Sequence, residues 1–433
     1  MRRVPEISAR ESSFFRQFSA GPSFSRVHFS KNGLYSRDNV CGTESSRDAK
    51  IMDSSRIRSR VWVEVNLDTL EENFNKIRKA VDPAKVLAVL KANAYGLGVE
   101  QIAERLNRAG AAGFCVAELK EALPLVRFGK PVQILGGVLD YEIPPAVENG
   151  VILGITDMET AKKISAEAVR QGRTAECHFK IDTGMGRLGI LAKDAIALIP
   201  EVMRLPNLDC CGIYSHFPVA YRGEDNFSTR QADRFYRILD AMREKGIHFR
   251  KIHMANSDGI NNCPFSCRYP FNYVRTGINL HGSFDSEGQR ILDLKSILTL
   301  KTRVVAVRNM PAGHTIGYGG TCRLVKDTRV GTICAGYADG LPLNLSNRGY
   351  VVIRDRLCPI LGRLSMDYTT VSLEQFGEGE ILPGEEVICL GGEGMHAVPV
   401  ENWAQLKGTH PYDVICSLGT RVERVFISRE YKQ

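Results

Sequence analysis

Between residues 86 and 279, eight short apolar segments alternate with stretches of helical period, and this alternation limits the fold more than any other feature. The apolar segments are 86–91, 114–117, 131–136, 151–155, 176–181, 209–214, 251–255 and 273–279. The helical stretches include 98–109, 118–127, 157–171, 192–203 and 227–245. Apolar runs of this length fit strands buried on both faces, and strand–helix alternation implies a parallel sheet. Eight strands with intervening helices is the count of an α/β fold, the (β/α)8 barrel. A doubly wound open sheet carries the same local signature, and strand counting leaves it open.

The flanks read differently. Val61, Val63, Val65 and Leu67 alternate with Trp62, Glu64 and Asn66, which predicts a strand. Asp68-Thr69-Leu70-Glu71 resembles a capping box, so a helix is expected from there to about residue 80. Beyond residue 295 the helical period disappears. Short strands take over, such as Lys301–Val307, Arg329–Ala335, Tyr350–Arg354 and Glu386–Leu390, separated by turn residues. The expected organisation is a leader over 1–58, a barrel over 59–295 and a mostly β domain over 296–433.

Charge and cysteines narrow the function. The net charge is +8, but the first 60 residues hold 12 Lys/Arg against 6 Asp/Glu, leaving +2 for the other 373. The body therefore gives no reason to expect nucleic acid. Residues 1–40 combine seven Lys/Arg, three Asp/Glu and eight Ser with five phenylalanines, a composition similar to an organelle transit peptide. A disordered tail, or a start codon placed ahead of Met52, fits as well; without targeting, the location is cytoplasmic. The twelve cysteines form no repeated framework. Cys115, Cys210 and Cys416 sit in apolar runs and read as small core hydrophobes, while Cys263 and Cys267 lack a second Cys/His pair at zinc spacing. No metal is expected. No stretch approaches the ~18–20 apolar residues of a membrane span.

Polar residues gather where the predicted strands end. Lys91 ends the apolar part of the segment Val86–Gly96, which then turns abruptly into polar residues and glycine. An amine there is costly to keep charged, and a neutral lysine is a nucleophile towards carbonyls. Taken alone, Lys91 could equally be a solvated strand terminus. Lys180 and Asp182, Ser215 and His216, Asn256 and Ser257, and Arg275 with Gly277 mark four further ends. Barrel enzymes keep their chemistry on this rim, so a shared pocket is expected.

Four segments carry a specific resemblance. Lys91-Ala-Asn-Ala-Tyr-Gly96, Lys180-Ile-Asp-Thr-Gly-Met-Gly-Arg187, Gly336-Tyr-Ala-Asp-Gly340 and Gly362-Arg-Leu-Ser-Met-Asp367 resemble the signature segments of the alanine racemase family. The match runs in order from about residue 60 to the end and leaves the leader without a counterpart. The resemblance implies a barrel that binds pyridoxal 5′-phosphate (PLP), followed by a β domain.

It gives Lys91 the covalent link to PLP, and a primary amine is what that link requires. Racemisation needs a second acid/base on the opposite face. The segment Thr315-Ile-Gly-Tyr-Gly-Gly320 is similar to the one that supplies it, which makes Tyr318 the partner of Lys91. A free phenol has a pKa of about 10 and needs a polarising environment. The resemblance assigns Arg275 to the pyridine side and His216 to the link between it and Tyr318. It assigns Ser257, Gly277, Ile278, Tyr95 and Tyr412 to the phosphate, Arg187 to the substrate carboxylate, and Tyr337 and Met366 to the substrate entrance. Lys180 matches a position carbamylated in some members. Two positions depart from the family pattern: Leu97 stands where histidine is common, and His281 where tyrosine is usual.

The implied activity is interconversion of L- and D-alanine, for wall peptides, by a homodimer in which Tyr318 and Met366 come from the second copy. Three other readings compete: a racemase of broader amino-acid range, a non-catalytic PLP-binding barrel, and a decarboxylase. A carrier barrel lacks a β domain with a second base, and a decarboxylase pairs an acid, not Arg275, with the pyridine.

Overall fold

A computed structural model describes residues 59–222, 226–285 and 287–429; the predicted leader lies outside them. The first strand, β1 (Val61–Asn66), pairs with strands of the C-terminal region and takes no part in the barrel. The barrel strands are β2 (Lys85–Val89), β3 (Gly113–Val116), β4 (Val132–Ile134), β5 (Leu153–Ile155) and β6 (Ala175–Asp182). After the two-residue β7 (Ile190–Leu191) come β8 (Leu208–Tyr214), β9 (Lys251–His253) and β10 (Tyr273–Thr276). They pair in parallel in the order β4-β3-β2-β10-β9-β8-β6-β5. A parallel bridge between Gln133 and Ile152 joins the two ends. The ring is thus closed, which settles the choice between a barrel and an open sheet.

Alternation along each strand separates two environments. On β2, Val86 and Ala88 join the main core beneath the helices, whereas Leu87 and Val89 pack with Cys115 in a small separate cluster. On β6, Phe179 packs against Phe249 outside the ring, while Glu176, His178 and Lys180 share the other face. The barrel interior near the rim is therefore polar, which a sheet tolerates only where every group finds a partner.

β1 runs antiparallel to β11 (Leu298–Met310) and parallel to β19 (Glu423–Ile427). β12 (Thr315–Ile316) and β13 (Cys322–Arg323) form a small ribbon. β14 (Thr328–Ile333), β15 (Tyr350–Ile353), β16 (Arg356–Leu361), β17 (Thr369–Ser372) and β18 (Glu386–Leu390) complete the region. The order is β14-β17-β16-β15-β18-β11-β1-β19, and β11 also pairs with β14. Six strands thereby close on themselves, with β1 and β19 as an extension.

Three local expectations need correction. The first helix, Leu67–Val81, begins at Asn66, whose side chain accepts from the Asp68 and Thr69 amides at 3.1 and 3.0 Å. Asp68 is free to pair with Arg105 at 3.0 Å, so the Asp68–Glu71 box is not the cap. The C-terminal region is not free of helices: Val400–Lys407 and Pro411–Cys416 follow β18. Cys115 and Cys210 are buried as expected, but Cys416 is exposed.

Candidate active site

Lys91 follows β2 by two residues and opens an unusual turn. Ala92, Asn93, Ala94 and Tyr95 all have φ between 51° and 59°. Four consecutive non-glycine residues in the left-handed region cost about 1–2 kcal/mol each. Specific hydrogen bonds offset this. The Glu121 carboxylate accepts from the Ala92 amide at 2.5 Å and from the Ala117 amide at 2.9 Å. Asn93 Oδ1 accepts from the Val99 amide at 2.9 Å. The tight turn sends Lys91 into the barrel mouth and Tyr95 back beneath β10.

The mouth encloses a cavity of about 380 Å³. Lys91, Lys180, Arg187, His216 and Arg275 supply the charged and titratable part of its wall. Tyr95, Ser257, Gly277 and Tyr412 supply a second, hydroxyl-rich part. Ile278 is buried directly behind Gly277. With Asn256, ten of the residues singled out in the sequence thus share one cavity.

Burial and mutual repulsion shape the charges. Lys91 is open to the cavity, yet the surrounding protein first, and the Arg187 charge second, hold its pKa below the ordinary lysine value. Lys180 is only 7% exposed. Desolvation, then Arg275 and Arg187, bring it down to about 7. Arg275 is fully enclosed, and burial lowers its pKa, though a guanidinium stays protonated. It donates to His253 Nδ1, to the Ser215 and Met254 carbonyls at 2.7 and 3.1 Å, and to His216 Nδ1 at 3.2 Å. Desolvation, followed by the Arg275 charge, pushes both histidines well below their usual range. They are neutral acceptors at pH 7.

The hydroxyl-rich wall is built for close approach. A Cβ at Gly277 would lie 2.0 Å from the Tyr95 hydroxyl, so only glycine fits. The Gly277 amide donates to Ser257 Oγ at 3.2 Å, and Tyr95 and Tyr412 have ring centroids 6.0 Å apart. Hydroxyls and a close backbone amide suit an anion. His281 stands edge-on to Tyr95 with centroids 5.0 Å apart, and neither ring nitrogen has a hydrogen-bond partner among the described residues.

Tyr318, Tyr337 and Met366 lie elsewhere, outside the lining of the cavity. Tyr318 is at the tip between β12 and β13 and is 70% exposed. A bridge between Gly317 and Arg363 ties that tip to the segment bearing Met366, and the Ala338 amide reaches the Met366 carbonyl at 3.1 Å. The three residues form one exposed loop cluster in the C-terminal region.

Sequence reasoning missed His253, Tyr214 and Glu121. Period two would have found His253, because Lys251-Ile-His253 points the same way as Glu176, His178 and Lys180. Glu121 carries no such signal: its role depends on a backbone turn visible only in three dimensions.

The alanine racemase N-terminal domain profile matches residues 65–284, and the C-terminal domain profile matches residues 297–426. The alanine racemase of Desulforamulus reducens is 37% identical over 377 residues, covering 86% of this chain and 100% of that protein. That of Carboxydothermus hydrogenoformans is 35% identical, covering 85% of this chain and 99% of its own. The alanine racemase structure from Clostridium difficile 630 superposes with a TM-score of 0.80 at 30% identity, over 86% of this chain and 97% of that one. The Bartonella henselae alanine racemase structure, described with covalently bound pyridoxal phosphate, gives a TM-score of 0.76 at 28% identity, over 86% and 100% of the two chains.

Proposed function

Because the chain belongs to the alanine racemase family, and so is an amino-acid isomerase that interconverts L- and D-alanine, we propose that its barrel cavity holds PLP against Lys91 and exchanges the substrate Cα proton between Lys91 and Tyr318 of a second copy. The observation that carries this is the convergence, in one cavity, of the Lys91 amine, the enclosed Arg275 guanidinium and the glycine-only approach at Gly277.

The residues fit PLP at both ends. Tyr95, Ser257, Tyr412 and the backbone at Gly277 and Ile278 would hold the phosphate, and Arg275 would donate to the ring nitrogen. When bound, PLP takes up the electron pair left at the substrate Cα.

The chain's own side chains do the rest. The depressed pKa of Lys91 raises its neutral fraction, which suits it to attack an aldehyde and later to accept or return a proton on one face. Arg275 can donate but never accept, so it would hold a ring nitrogen opposite it without protonating it. That would restrain the electron sink and favour return of the proton over side reactions. Arg187 attracts the substrate carboxylate. Tyr318 from the second copy supplies the opposite face, with His216 linking it towards Arg275, and Tyr337 and Met366 narrow the entrance. Lys180, about half neutral at pH 7, can add to carbon dioxide and release a proton. The resulting carbamate would give Arg187 an anionic partner. Among the described residues no helix is long and apolar enough to cross a membrane.

Incubation of the full chain with PLP and L-alanine, followed by chiral chromatography, should show D-alanine rising towards an equal mixture. A larger L-amino acid turned over faster than alanine would redirect the assignment, and no D-product from any amino acid would overturn it.

A further inference from the structure

Arg275 faces the cavity on one side and a column of unassigned titratable groups on the other. Its Nη1 donates to His253 Nδ1. His253 Nε2 lies 3.5 Å from His178 Nδ1, and His178 Nε2 lies 3.4 Å from Glu176 Oε1. Glu176 Oε1 also accepts from Lys251 Nζ and, at 3.1 Å, from Cys211 Sγ. The column runs through the barrel interior from β10 across β9 to β6.

Its polarity follows from donor inventory alone. A guanidinium has no acceptor, so His253 Nδ1 is the bare nitrogen. The proton of a neutral His253 then sits on Nε2 and needs an acceptor, which His178 Nδ1 provides. His178 in turn carries its proton on Nε2, aimed at Glu176. Every donor points away from the cavity, and one tautomer of each ring satisfies the whole column. Burial keeps both rings below the usual histidine pKa, in His178 against the pull of Glu176. The two histidine contacts are long, so they contribute direction more than strength.

Packing fixes the rings in place. A Cβ at Gly212 would lie 2.3 Å from His178 Cδ2, so the β8 backbone is the seat of this imidazole. Tyr214 stacks on His253 with centroids 4.9 Å apart and planes 13° apart. Glu176, His178 and Cys211 also bring ligand atoms within 4.8 Å of one another, as in a metal site, but the Lys251 ammonium already stands against the carboxylate.

We propose that His178 is a positioning residue which, through the tautomer of His253, fixes the face that Arg275 presents to the cofactor. This rests on the proposed placement of the cofactor ring opposite Arg275.

The test is histidine-selective 15N NMR on the full chain, cofactor-free and loaded, with alanine kinetics alongside. In the wild type, His253 should show a bare Nδ1 and a protonated Nε2. In His178→Phe the tautomer should change or become mixed, with kcat about tenfold lower and KM within about twofold. His178→Gln, whose amide can both accept from His253 and donate to Glu176, should restore the tautomer and most of kcat. A wild-type His253 protonated on Nδ1 would overturn the proposal, whether or not the Phe variant folds. So would a His178→Phe protein in which tautomer and kcat do not change together. Failure of the functional reading looks different: the wild type would make no D-alanine, while the cofactor-free tautomer would still decide the column.

Discussion

The barrel mouth and the loop cluster around Tyr318 are both rich in polar and aromatic groups, yet they are finished to different degrees. In the mouth, Arg275 is enclosed and its two terminal nitrogens are held by two histidines and two carbonyls. At the cluster, Tyr318, Tyr337 and Met366 are all exposed. The cluster is nevertheless rigidly supported. Arg421 binds Asp339 through two bonds of 2.7 and 2.9 Å and Asp367 at 2.7 Å, and Asp339 is buried and accepts from the Gly336 amide at 2.9 Å. On the proposed reading, the exposed tips on their rigid base form a half-site for the second copy, and one chain holds a complete cofactor cradle but only half of the machinery for inversion.

The sharpest way to break this contrast is to remove one group from each side. Lys91→Ala should abolish the visible absorbance of bound cofactor and cut racemisation by at least ~10⁴-fold. Tyr318→Phe should keep the absorbance and still lose about 10²–10⁴-fold in rate. Mixing the two inactive proteins under exchange conditions should restore part of the activity, because a mixed dimer would contain one intact site. No recovery, with exchange verified, would mean that the two groups do not meet across copies.

A smaller effect tests whether the mouth is as finished as it looks. Gly277→Ala drives a methyl group into the Tyr95 hydroxyl. It should destabilise the chain by about 1–3 kcal/mol and weaken cofactor retention, both measurable by thermal melts with and without PLP. Adding Tyr95→Phe should recover part of the loss, since it removes the nearest atom. A comparable substitution in the exposed cluster, Met366→Leu, should leave the melting temperature nearly unchanged.

The same contrast explains what could be read in advance. All eight barrel strands were legible, because continuous apolar runs and helical spacing persist over the whole region. Five far ends were drawn too long, as where Leu90 and Lys91 already belong to the turn after β2, while those of β5 and β8 fell in place and that of β6 was drawn one residue short. Two of the four motifs, Lys91–Gly96 and Lys180–Arg187, follow barrel strands and made part of the mouth legible, whereas the other two carry Tyr337 and Met366 in the exposed cluster. What escaped was anything set by long-range pairing. β1 looks like the first strand of a barrel by local pattern, yet it pairs with β11 and β19, more than 200 residues away. The helix carrying Tyr412 is six residues long, too short for a period to show. Glu121 supports the Lys91 turn through backbone amides, which leave no trace in side-chain spacing.

The smallest effect concerns Lys180, on the finished side. Its pKa falls from the ordinary 10.5 to about 7 in the fold, with burial the largest cause. Between those two values the unfolded chain holds a proton that the folded chain lacks. Stability therefore rises with pH across that window, and the penalty is fully present only below it. In bicarbonate-free buffer, wild-type stability relative to Lys180→Met should climb by about 1–2 kcal/mol from pH 7 to 8.5. Differencing against the variant removes the buried thiols, whose raised pKa values act in the opposite sense at higher pH. The desolvation is a property of the single barrel, so the same climb should persist in Tyr318→Phe. Added bicarbonate should flatten it, because a carbamate no longer titrates as an amine. A flat difference without bicarbonate would place Lys180 in a far more polar setting than the walls of this cavity provide.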